Sequence, residues 1–71
     1  MTLSDFVSNK LQEQGMSQAD FARKTGFSTA YVTMIVNGGV KKPMLDKAKK
    51  ICDAFGCSID ELARAMYGDE K

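Results

Sequence analysis

The sequence predicts an all-α fold of five short helices, and three observations carry that expectation. Apolar residues recur three and four residues apart in successive segments. Serine or threonine opens most of those segments, and glycine closes them. The one stretch rich in β-branched and aromatic residues, AYVTMIV, has no usable partner strand: the candidate, VKKP, is short and closed by proline.

The first helix spans about residues 3–14. Leu3, Phe6, Val7 and Leu11 form one apolar stripe, Thr2 or Ser4 caps the start, and Gly15 ends it. A second helix covers about 17–25. Ser17 is its cap, with Asp20 three residues on, and Met16 is placed to staple against Phe21. Gly26 follows where a left-handed residue is wanted. A third helix runs over about 28–37 from a Ser28 cap to an Asn37–Gly38 stop. Its Val32, Ile35 and Val36 suit an inward face, while Thr29, Ala30, Thr33 and Met34 face out. GGVKKP is a loop, and Pro43 is suited to the first position of a fourth helix, about 43–55. Leu45, Ala48, Ile51, Cys52 and Phe55 make its core stripe. A fifth helix, about 58–66, starts on a Ser58–Glu61 capping box and buries Ile59, Leu62, Ala63 and Met66, and residues 67–71 fray. The chain reads as a single domain, 1–71, without repeats or low-complexity segments.

The second and third helices, joined by a glycine-containing turn, form the helix-turn-helix pattern. Such a unit props its second helix on the first, so that the second can enter a DNA major groove.

Composition excludes several classes. Hydrophobic residues at 44% and charged residues at 27% suit a folded globule rather than a disordered tail. No apolar run approaches the roughly 20 residues needed to span a bilayer, and the N-terminal segment is no secretory signal, so a cytoplasmic location without a membrane partner is expected. Cys52 and Cys57 read as small apolar side chains. With no histidine in the chain, two thiols do not complete a zinc shell. No metal or cofactor is expected. No nucleophile lies beside a base, so catalysis is not expected either.

Net charge is only +1, but it is unevenly spread. Residues 23–50 hold Arg23, Lys24, Lys41, Lys42, Lys47, Lys49 and Lys50 against Asp46, a balance of +6. Residues 1–22 hold Lys10 against Asp5, Glu13 and Asp20, a balance of −2. Residues 51–71 set Arg64 and Lys71 against Asp53, Asp60, Glu61, Asp69 and Glu70, a balance of −3. The positive charge therefore flanks the third helix, a distribution that suits a phosphate backbone, although lysines also simply solvate a helix face.

SQADFARKTGFSTAYVTMIVNG, followed by IxxAFGCSIDEL, resembles the Cro/C1-type helix-turn-helix family of phage repressors and bacterial regulators, also called the XRE family. The likeness covers about residues 3–66. It implies a compact lambda-repressor-like helical domain that regulates transcription, as a repressor binding a palindromic operator in double-stranded DNA as a homodimer. Mapped residue by residue, the family's base-reading positions fall on Thr29, Ala30, Tyr31 and Met34. Its phosphate contacts fall on Gln18, Ser28, Thr33, Asn37, Lys41 and Lys42. The reading positions depart from the pattern in lacking the Arg, Gln or Asn that bond bidentately to guanine or adenine. Val36 replaces an acid common there, and Met44 stands where some phage relatives place a basic residue. Readout would then rest on thymine methyl groups and DNA shape. The alternative is a protein-interaction module with weak or no DNA binding. A dimer interface is expected on the last helix, around Met66 and Tyr67, and no small-molecule effector is expected.

Overall fold

Five α-helices follow one another: α1 Leu3–Glu13, α2 Gln18–Thr25, α3 Thr29–Val36, α4 Leu45–Phe55 and α5 Ile59–Tyr67. The structure, a computed structural model, describes residues 2–67, with Tyr67 placed by its backbone alone, and the described residues contain no strand. Of the expected frayed end, 68–71 lie outside the described residues, whereas Tyr67 closes α5 one residue later than expected.

Capping explains where most helices begin. Thr2 Oγ1 accepts the Asp5 N–H at 3.1 Å, and the Asp5 carboxylate accepts the Thr2 N–H at 3.3 Å. Ser17 and Asp20 repeat the reciprocal pair at the start of α2, at 3.0 and 3.3 Å. Ser28 Oγ accepts the Tyr31 N–H at 3.1 Å. Ser17, Ser28 and Asn37 are thus caps rather than helical residues, and the expected spans contract around them. Ser58 Oγ accepts the Glu61 N–H at 3.1 Å, but the Glu61 carboxylate pairs with Lys10 Nζ at 2.7 Å. That contact ties α5 to α1 and raises the Lys10 pKa, chiefly through the Glu61 bond.

The core gathers one stripe from each helix: Phe6 and Val7, Phe21, Val32 and Ile35, Ile51 and Phe55, and Leu62. Each such side chain contributes about 1.5–3 kcal/mol by leaving water. This burial overrides the strand propensity of α3, where Val32 and Ile35 are fully enclosed and Val36 half-buried. Aromatic rings run through the core in sequence. Phe6 meets Phe55 edge-on at 6.4 Å, Phe55 stacks on Phe21 at 4.7 Å, Phe21 meets Phe27 at 6.3 Å, and Phe27 meets Tyr31 at 5.0 Å.

α4 starts later than expected. Pro43 lies two residues ahead of it, and Met44 is its cap residue without a side-chain hydrogen bond, its thioether being only a weak acceptor. Leu45, expected in the core, is 75% exposed. It shares a face with Cys52 but stands at the open edge of a groove with Ile59, Ala63 and Met66 of α5, so helical spacing alone misplaces it. Ile59, also expected inside, is 36% exposed at the first turn of α5.

Cys52 is buried and Cys57 half-buried, both as free thiols. Burial, then the hydrogen bond to Cys57, pushes the Cys52 thiol up to about 12. Among the described residues no helix is long and apolar enough to cross a membrane.

Candidate nucleic-acid interface

The corner between α2 and α3 is locked by backbone and side-chain bonds. Gly26 adopts φ 79°, a region that a side chain would oppose, and donates its N–H to the Ala22 carbonyl at 2.8 Å. Thr25 is buried there. Its hydroxyl donates to the Phe21 carbonyl at 2.8 Å and accepts the Phe27 N–H at 3.2 Å, fastening the end of α2 to the turn. The far end of α3 is held equally well. Gly38 turns the chain at φ 85°, Gly39 N–H reaches the Met34 carbonyl at 2.7 Å, and the Ser4 hydroxyl of α1 donates to the Val36 carbonyl. Both ends of α3 are therefore fixed, and with Val32 and Ile35 buried its rotation is fixed too.

What that rotation leaves outside is the set Thr29, Ala30, Thr33 and Met34, all exposed, with Met34 at 50%. Ala30 and Met34, four apart, share a face. Tyr31 stands at its border, half-buried against Phe27, and burial followed by the charge of Asp46 raises its phenol pKa. Gln18 is the exposed first residue of α2, where free backbone N–H groups and the helix dipole favour an anion. Ser28 and Asn37 are exposed at the two caps of α3. Lys41 and Lys42 are exposed in the loop after it. Met66 is half-buried on α5, packed against the core, and the Tyr67 side chain lies outside the described residues.

Two contributors escape a reading of the sequence. Thr25 looks like an ordinary helix end, yet it pins the turn. Lys47 looks like one cation of a basic run. In the fold its Nζ lies 5.1 Å from the centre of the Tyr31 ring and 5.7 Å from that of Phe27. The basic residues after the third helix were a signal for charge in this region, but only tertiary packing brings Lys47 onto the rings.

No curated protein matches the chain closely enough to count as a relative. A family model described as helix-turn-helix matches residues 7–62, which takes in α2, the locked corner, α3 and α4 entire, with most of α1 and the start of α5. With well over half of its length matched and five helices set around the corner, this chain belongs to the Cro/C1-type helix-turn-helix family of DNA-binding regulators.

Proposed function

We propose that the domain binds a specific operator in duplex DNA, represses transcription there, and does so as a homodimer on a palindromic site. One observation carries the reading: α3 is held at both ends with its apolar stripe buried, which presents Thr29, Ala30 and Met34 on the opposite side. In the groove, Thr29 supplies a hydroxyl and a methyl, while Ala30 and Met34 supply apolar contact suited to thymine methyl groups. Tyr31 adds a ring and a hydroxyl at the edge of that face. Gln18, Ser28, Thr33, Asn37, Lys41 and Lys42 take the phosphates on either side and fix the register.

One such unit covers a half-site, and a second copy about one helical turn away supplies the rest of the specificity. We assign that second copy to the lip of α4 and α5. Met44 is 70% exposed and Leu45 75%, and Pro43, Leu45, Ile59, Ala63 and Met66 line one groove. The competing reading, a protein-interaction module, draws on the scarcity of hydrogen-bonding side chains on the α3 face.

Selection of bound duplexes from a random pool, with sedimentation of the complex, tests the reading. Recovery of an inverted repeat with thymines in each half, bound by two copies, supports it. Retention no stronger than on arbitrary duplex, or a monomer on the selected site, overturns it.

A further inference from the structure

We propose that Lys47 is a specificity-determining residue that acts through Tyr31, by fixing where the tyrosine ring stands beside the reading face. The inference rests on the DNA-binding reading above. Lys47 belongs to α4, outside the helix-turn-helix corner, and is half-buried while Lys49 and Lys50 are exposed. Its ammonium stands within cation–π range of both Tyr31 and Phe27, at 5.1 and 5.7 Å. Phe27 meets Tyr31 nearly at right angles, 80°, and is backed by Phe21, which itself stacks on Phe55 in the core. Tyr31 is therefore held from two sides: by a rigid ring behind it and by a cation across its face.

Tyr31 is the bulkiest of the four reading positions and the one that is half-buried. A side chain so placed reaches a base edge or clashes with it according to its rotamer, and a fixed rotamer turns that difference into sequence preference. Lys47 sets the rotamer without touching a base, and its charge remains with the ring. Asp46 also bears on Tyr31 by its charge, so the loop end of α4 as a whole frames this ring.

The test compares Lys47→Met, which keeps the aliphatic stem and removes the charge, with Lys47→Arg, which restores a cation able to sit on the ring. Three readouts are taken on the full chain: base preference on the selected operator and its single-base variants, the slope of affinity against salt, and the melting temperature. The expected result is a loss of about two- to fivefold in discrimination at the base pair nearest Tyr31 in Lys47→Met. Lys47→Arg recovers it, the salt slope is unchanged, and Lys47→Met has no further effect on preference in a Tyr31→Ala background. A salt slope lowered by about one unit with base preference intact shows that Lys47 meets a phosphate directly, and overturns the inference. So does an equal effect of Lys47→Met with and without Tyr31. If the unmodified protein shows no base preference, the DNA reading itself fails and takes this inference with it. Intact preference that Lys47→Met leaves unmoved refutes the role of Lys47 alone.

Discussion

The corner of α2 and α3 and the lip of α4 and α5 are built on opposite principles. At the corner, backbone groups at both helix ends find partners: Ser17, Asp20 and Ser28 cap the starts, while Gly26 and Thr25 close the turn. Its large apolar side chains are buried or half-buried, Met34 excepted. At the lip, α4 begins without a side-chain cap, and Met44, Leu45 and Ile59 are exposed. A rigid corner and an apolar lip suit different partners. Under the proposed function the first presents a fixed shape to a rigid duplex, and the second leaves apolar area for a second copy.

The largest expected effect breaks the corner. Val32→Gln places an amide without partners at a fully buried site and removes packing, so it lowers stability by about 3 kcal/mol or more, read by thermal or urea unfolding. Next comes the lip. Leu45→Glu charges an exposed side chain, so the fold and melting temperature survive while the proposed dimer dissociates in sedimentation and affinity for the proposed palindromic site falls toward that of a half-site. Unfolding by Leu45→Glu would show that the lip belongs to the core after all. The basic loop gives a smaller and sequence-independent effect. Lys41→Ala with Lys42→Ala lowers the slope of log affinity against log salt by about two units, roughly evenly across sequences. The smallest effect is acid sensitivity at the corner. The Ser17 N–H and hydroxyl hold the Asp20 carboxyl below its ordinary range. Its contribution is therefore present above the ordinary carboxylate pKa and is lost as pH falls through the depressed value. Asp20→Asn flattens the acid side of a plot of melting temperature against pH, leaving neutral pH less affected than a cap deletion such as Ser17→Ala, which costs about 1 kcal/mol.

The same contrast explains what could be read from the sequence. The corner is written locally: serine caps, an acid three residues on and a glycine at the turn are neighbours in the chain, and helical spacing separates Val32 and Ile35 from Ala30 and Met34. The lip is not local. Leu45 continues the spacing of α4, and only tertiary packing decides that it lies at the open edge of the groove between α4 and α5. Met44 replaces a capping residue, so the start of α4 carried no signal beyond Pro43, which marks the approach to the helix and not its first residue. Lys47 and Tyr31, sixteen residues apart, meet through packing that no periodicity encodes. Ser4, which looked like a second candidate cap for α1, instead reaches across to the end of α3.

The proposed function turns on the face of α3 bearing Ala30 and Met34 as the reader of bases. Site selection with Met34→Gln beside the unmodified protein, each paired with its melting temperature, tests it most directly. The preferred base is expected to change at one symmetric position in each half-site, with a discrimination of about 1–3 kcal/mol, while the melting temperature barely moves. A destabilised Met34→Gln protein that still selects the original sequence would contradict it, because Met34 would then be packing the fold rather than facing the groove.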